Sequence, residues 1–485
     1  MRQTAFIACL CSAMAVDAML EACSFAPRYS RPPPPSPAPA EYQESAAWKQ
    51  SQPADLENRG AWWQVFQDPM LDSLEEHVTR ANQDLKAAFA RLQEARAQTR
   101  IARSAYFPTL TLDPSATRSR TSVNSPVYAP GRPPTSNDFV LDADLSYELD
   151  VWGRIRNTVA AARASEQASA GDLATLDLST HAELASDYFT LCGQDTEQAL
   201  LDQTVADYVK ALELTQTLFN GGAAARADVD QAEAQLESAR TQAADIRLRR
   251  AQTEHAIAVL VGESPSAFHL DARQLRLDSV PPAIDPGLPS ALLERRPDVA
   301  AAERRVAAAN ANIGVARAAY FPVFDLFGRA GYESTQTANW ISAPSRLWSV
   351  GPSAVLTVFD AGLHRAQSAQ AHAQYDEQVA SYRGTVLTAY QEVEDNLAAL
   401  RELEAESTSE AAAVAATASA LKQTQYQYQG GIVTYLQIVV TENAALQARL
   451  SAADIQIRRM SATVLLIKAL GGGWKTSPTG GESGR

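Results

Sequence analysis

Residues 139–149 read FVLDADLSYEL, a run in which polarity switches at every step from Leu141 on. Leu141, Ala143, Leu145, Tyr147 and Leu149 fall on one side; Asp142, Asp144, Ser146 and Glu148 fall on the other. Successive side chains of a strand point to opposite faces, so the run, taken from 138 to 149, predicts a β-strand with one apolar face. Working back, a Pro/Ser/Gly-rich loop at 118–137 separates it from a second run at 107–115, which begins where Pro108 halts a helical segment. Further on, 321–332 and 348–359 give another pair, with Trp348, Val350, Ala354, Leu356 and Val358 at period two.

These pairs belong to a duplicated chain. ARSAYFP at 102–108 returns as ARAAYFP at 316–322, and YELDVWGRIR at 147–156 returns as LTVFDAGLHR at 356–365. That alignment sets Gly153 against Gly362 and, with a one-residue shift, Asp150 against Asp360. TLFNGGAAARADVDQAEAQLESAR at 217–240 returns as YQYQGGIVTYLQIVVTENAALQAR at 426–449. Three landmarks in one order at nearly one offset make the protein a tandem repeat of a single unit. Each unit reads helix, strand, loop, strand, then two long helices.

The first helix starts from Leu71, with Leu74, Val78, Leu85, Phe89 and Leu92 on its stripe. Between Gly153 and Gly221 no proline occurs, and a helix of that length would span roughly 100 Å. The stripe Leu446, Leu450, Ala453, Ile457, Met460, Val464 and Ile467 steps four and three, the coiled-coil period. Gly221-Gly222 and Gly430-Gly431 then read as hairpin tips, where a positive φ lets the chain return.

The amino terminus reads as an export signal over 1–22, with Arg2 ahead of an apolar run from Ala5 to Val16. Leu20-Glu21-Ala22-Cys23 resembles a lipoprotein cleavage box, so Cys23 is the expected lipidation site. Asp17 and Glu21 depart from the usual pattern. Residues 23–60 would be the lipidated terminus and a Pro-rich tether, since RPPPPSPAP at 31–39 favours an extended chain. The first repeat then covers 61–265, a linker 266–289, the second repeat 290–471, and a disordered tail 472–485. Of four cysteines only Cys192 would remain, expected to be a buried small apolar residue.

Four strands cannot close a barrel, because an open edge cannot exist in lipid and spanning barrels need at least about eight. Two copies would supply eight strands, packed shut; three would supply twelve, with a water-filled lumen for the Asp142, Asp144 and Glu148 face. A half-exposed sheet in a water-soluble helical protein would show the same alternation. No long apolar stretch follows the N-terminus, which excludes a helical span but not a barrel. A net charge of -14 without basic clusters argues against nucleic acid. The histidines at 77, 181, 255, 269, 364 and 372 form no ligand spacing, so neither an enzyme, a metal site nor a cofactor is expected; His364 and His372 read as surface or lumen positions.

Seven landmarks carry a family resemblance: CSFAPRYSRPP, WWQVFQDPMLDSL, ARSAYFPTL, YELDVWGRIR, LLERRPDVAAAERRVAAANANIGVARAAYFP, VFDAG and IKALGGGW. In this order they resemble the TolC-like outer-membrane efflux factors, in particular the lipoproteins partnering resistance-nodulation-division pumps. The resemblance implies a fold that is mainly α with membrane β. In it, a long helical barrel forms a periplasmic tunnel and four strands per protomer join a homotrimeric twelve-stranded barrel. It implies a non-enzymatic exit duct in the outer-membrane lipid, working with a periplasmic adaptor and an inner-membrane transporter. The outer-membrane component of type I protein secretion and a periplasmic adaptor lipoprotein are the alternatives. Arg295-Arg296-Pro297-Asp298 opens a helix with Pro at its first position, and reads as architecture.

On this reading the tips Gly221, Gly222, Gly430 and Gly431 meet the adaptor, and the residues after them narrow the tunnel. Asp228 and Asp230 would line the opening in the first unit; Tyr435, Leu436, Val440, Glu442 and Asn443 would do so in the second. Many family members carry an acid where Val440 stands and a base where Asn443 stands, and this chain has neither. Tyr435 hydrogen bonds and an apolar ring of Leu436 or Val440 are the expected substitute. Asn443 shares the stripe of Leu446, which favours packing.

Overall fold

The computed structural model describes residues 25–34 and 60–472, apart from 127, 130, 132, 277–278, 283 and 285–295. The signal segment, Cys23, most of the tether, Arg295 and the tail from 473 lie outside the described residues. The protein is mainly helical with one four-stranded sheet. A 3-10 turn over Trp62–Phe66 leads to α1 (Pro69–Ala81) and α2 (Gln83–Ser104), then β1 (Thr109–Arg120) and β2 (Thr135–Leu149). The long α3 (Arg154–Asn220) and α4 (Arg226–Leu260) complete the first half. The second half repeats the order with α5 (Pro297–Ala318), β3 (Val323–Ser334), β4 (Arg346–Val355), α6 (Leu363–Gln429) and α7 (Tyr435–Ala469). The paired long helices match in length, 67 residues for α3 and α6 and 35 for α4 and α7. No helix among the described residues is long and apolar enough to cross a membrane.

The strand ends differ from the expected ones, and backbone bonding explains why. Phe107 and Phe321 lie in the closing turn of the helix, donating to Ser104 and Ala318 carbonyls, so β1 and β3 begin only after the proline. β1 continues through Ala116 and polar Thr117–Arg120 because each residue has a partner in Thr135–Phe139. Side-chain polarity does not end a ladder; lack of a partner does. β4 stops at Val355, paired with the first residue of β3, so Leu356–Phe359 fall outside the sheet.

The described chain forms two compact units, and each takes segments from both repeats. One comprises the described residues within 25–33, 91–170 and 301–382, and contains the sheet. Its aromatic cluster joins Trp152, Phe321 and Phe324, and Trp152 donates its indole N–H to the Pro322 carbonyl at 2.7 Å. The N-terminal strand of chain at Phe25–Arg31 adds to it, Phe25 stacking on Phe321 at 4.5 Å. Asp150 caps the start of α3, accepting from Ile155 and Arg156 N–H groups at 2.9 and 2.8 Å. Asp360 does the same for α6 through Gly362 and His364, at 2.8 and 2.9 Å.

The other unit comprises the described residues within 60–90, 171–300 and 383–472, with Pro34. Trp62, Trp63, Leu71, Leu74 and Val78 pack there against Leu184, Tyr188, Phe189, Ile257, Met460 and Val464. Cys192 is a free, buried thiol in this core, and burial pushes it up to about 12. The described part of the linker is pinned to α3, with Leu275 N–H on Cys192 carbonyl and Thr196 hydroxyl. His181 is buried, its Nδ1 2.5 Å from Glu75 and its ring stacked 4.6 Å from Trp63.

Candidate functional site

Directly opposed residues of an antiparallel sheet share a face, so the register assigns every strand residue to one of two surfaces. On one side β1 contributes Leu110, Leu112, Pro114 and Ala116, and β2 contributes Leu141, Ala143, Leu145, Tyr147 and Leu149. β3 adds Phe324, Leu326, Gly328, Ala330 and Tyr332, opposite Ala354, Pro352, Val350, Trp348 and Arg346 of β4. From Leu110 to Ala116 and across to Ala354 this face is apolar, and the polar residues on it, Arg118, Arg120, Thr135, Asn137, Ser334 and Arg346, gather at its loop end. It is also bare: Leu110, Leu112, Trp348 and Val350 are 72, 66, 77 and 66% exposed.

The opposite face carries Thr111, Asp113, Asp142, Asp144, Ser146, Glu148, Asp325, Arg329 and Ser349. Asp142 does not stand free on it, as the alternation alone suggested. Its side chain is buried and paired with Arg329, which also lies 3.9 Å from Asp144. Glu148 pairs with Arg154 of α3. The strand order is β1-β2-β3-β4, so β1 and β4 each leave one row of backbone N–H and C=O groups without a strand partner among the described residues.

At the hairpin tips, the two glycine pairs build the same turn. Gly222 and Gly431 have φ of 75° and 68°, in the left-handed region that a side chain resists. Ala223 N–H bonds the Leu218 carbonyl at 2.8 Å, and Ile432 N–H bonds that of Gln427 at 2.9 Å. With Gly222 on Phe219 and Gly431 on Tyr428, both tips have the six-to-one and five-to-two bonds of a Schellman close.

Beyond that turn the tips diverge. In the first, Asp228 accepts the Ala225 N–H at 3.0 Å, capping α4, and Asp230 pairs with Arg226 at 2.9 Å. Both carboxylates have local partners. In the second, Tyr435 is buried against Ala232 and Val439, its ring 5.9 Å from that of Tyr428. Burial, and then the Glu442 carboxylate, raise its phenol well above the usual range. Leu436 and Val440, four residues apart on α7, remain 59 and 55% exposed, as does Ile432 in the turn at 76%.

Asn443 is half-buried and bridges three helices. It accepts from Tyr208 of α3 at 3.4 Å and donates to Gln235 of α4 at 3.2 Å. Burial and Glu442 together push Tyr208 up to about 12. The structure thus brings Tyr435, Glu442 and Asn443 together with Tyr208, Gln235 and Tyr428, three residues the sequence did not single out. Nothing in their local pattern marks them, because their partners lie on other helices. Among the described residues no group of histidines, cysteines or acids is arranged to hold a metal.

A model of a family described as outer membrane efflux protein matches residues 76–263 and 288–472, one stretch in each repeat. Outer membrane protein OprJ of Pseudomonas aeruginosa is 32% identical over 464 residues, covering 96% of this chain and 95% of OprJ. The toluene efflux pump outer membrane protein TtgC of Pseudomonas putida is 32% identical over 463 residues, 94% of each chain. The solved outer-membrane channel OprN superposes with a TM-score of 0.85 at 31% identity, over 93% of this chain and 100% of that one. The Campylobacter jejuni CmeC outer membrane channel gives 0.89 at 25% identity, over 94% and 96%.

Proposed function

The chain belongs to the outer membrane efflux protein family, and from that premise we propose that it is the outer-membrane exit duct of a three-part efflux pump. One observation carries the reading: a continuous, exposed apolar face across four strands whose two edges are both open. Lipid satisfies the face, and only closure into a barrel satisfies the edges. Three copies, β4 of each pairing with β1 of the next, give twelve strands around a wet lumen lined by the Asp142–Arg329 face. The long hairpins then form the periplasmic tunnel, with the glycine tips against an adaptor that links the duct to an inner-membrane transporter. The residues following the tips form the aperture. An adaptor lipoprotein has no use for an apolar sheet face with open edges.

The duct performs no chemistry; it supplies a route, and the transporter supplies the energy. Small toxic molecules, such as the toluene named for TtgC, fit a passage of this kind. Lipid at Cys23 holds the chain's end in the same membrane, assisting a barrel that is itself the main anchor. The test is native mass measurement of detergent-extracted outer membranes together with planar-bilayer recording. A trimer with conducting openings is the expected result, and a stable monomer overturns the proposal. Intact mass of the mature N-terminus checks the lipid separately: an unmodified terminus downstream of Cys23 removes the anchor and leaves the duct.

A further inference from the structure

Glu442 lies seven residues beyond Tyr435, about two helical turns, so both side chains share one face of α7. That face is packed. Glu442 is half-buried, and its Oε2 is buried without any hydrogen-bond partner. The groups around it are the wrong ones for an anion. From α3 come Asp207 and the Tyr208 phenol. From α7 itself comes Tyr435. Beyond Tyr435 stand Tyr428 of α6 and Asp228 of α4, while Gln235 of α4 is taken by Asn443. Lys210 of α3 sits 3.5 Å from Asp207 and pairs with it. No ion pair reaches Glu442 among the described residues.

A carboxylate needs water or donors at both oxygens, and the enclosed Oε2 has no donor. We propose that Glu442 is a proton-operated latch: protonated, it lets the first turns of α7 pack against α3, and ionised, it loosens that packing and widens the aperture. The inference rests on the tips being the aperture, as proposed above. Burial first, and Asp207 second, push Glu442 from an ordinary 4.5 to about 7. The packed form therefore holds its proton more tightly than the loosened form. Packing is fully supported below the ordinary value, weakens as pH climbs towards about 7, and loses nothing further above it. Acidification of the compartment tightens the tip.

Two readouts on the assembled full chain test this. Hydrogen exchange of the segment 435–446, corrected for the chemical rate, reports the packing; single-channel conductance reports the opening. Exchange in the wild-type protein should rise about threefold or more between pH 5 and pH 8, with conductance rising in parallel. Glu442→Gln should hold both at the pH 5 level throughout. Asp207→Asn, which removes the anionic neighbour, should move the transition to lower pH, and it carries the test if Glu442→Gln fails to assemble. A flat wild-type profile, or a Glu442→Gln protein that keeps the wild-type pH dependence, overturns the latch. Leu436→Ser at pH 5 separates the two ideas. If it leaves conductance unchanged while exchange still follows Glu442, the aperture lies elsewhere and the latch stands as a packing switch.

Discussion

The two repeats share a backbone plan yet fasten it with different chemistry. In the first, Asn82 ahead of α2 donates to the Leu260 carbonyl at the end of α4, at 2.8 Å. In the second, Arg296 ahead of α5 donates to the Ala469 carbonyl at the end of α7, at 3.0 Å. Both bonds join the beginning of a repeat to its last helix, and both donors are nearly buried, at 3 and 7% exposure. The neutral amide needs little else; it also caps Leu85 N–H at 3.0 Å. The guanidinium brings a charge, and Asp298 takes it at 2.7 Å and Glu392 at 2.6 Å. Duplication preserved the position of the fastening and let its strength diverge.

The largest effect expected from this contrast is at Arg296. Arg296→Ala leaves Asp298 and Glu392 without their cation; breaking a buried pair costs about 3–5 kcal/mol, and the 26 and 40% exposure of the two carboxylates puts the loss at the lower end of that range. Asn82→Ala leaves only a carbonyl and a cap unmet, for about 1–3 kcal/mol. Thermal unfolding of the assembled protein, followed by circular dichroism, should rank them in that order. Equal losses would mean that the two fastenings carry the same load.

The tips sharpen the contrast functionally. The second presents bare apolar side chains after its turn, and the first presents carboxylates already engaged. Leu436→Ser should raise single-channel conductance by roughly twofold, since an apolar constriction resists wetting. Asp228→Ala combined with Asp230→Ala should lower cation preference in the same recordings, and by less than a bare acidic ring would. Asp230 shares its charge with Arg226, and Asp228 is committed to the Ala225 N–H. Unchanged conductance and selectivity in a correctly assembled protein would move the constriction away from these residues.

What the sequence disclosed follows from the range of the forces involved. Alternation over 139–149 and the four-three stripe of α7 are local patterns, each imposed by one element meeting one apolar surface. The glycine pairs were legible because a left-handed turn is a property of the residue itself. Strand ends were not, since Arg120 belongs to β1 only because Thr135 lies opposite it. Asp142 was recognisable as polar, but its pairing joins residues 187 apart in sequence. The same holds for Asn443 with Tyr208, and for the burial of Glu442. The second tip's charged residue looked like any solvated position on a helix, and only the opposing face of α3 makes it otherwise.

The open edges of the sheet bear on inheritance as well as on architecture. A copy that cannot fold never meets its neighbours, so a lesion in the core around Leu184 and Ile257 would be recessive beside an intact allele. A copy that folds but carries a further proline on the open edge of β4, beyond the native Pro352, still offers a sound β1. In the proposed ring, healthy subunits would accept it on one side and find no partner on the other, leaving the ring broken. Such an allele would be dominant, because one flawed link spoils the sound copies it joins.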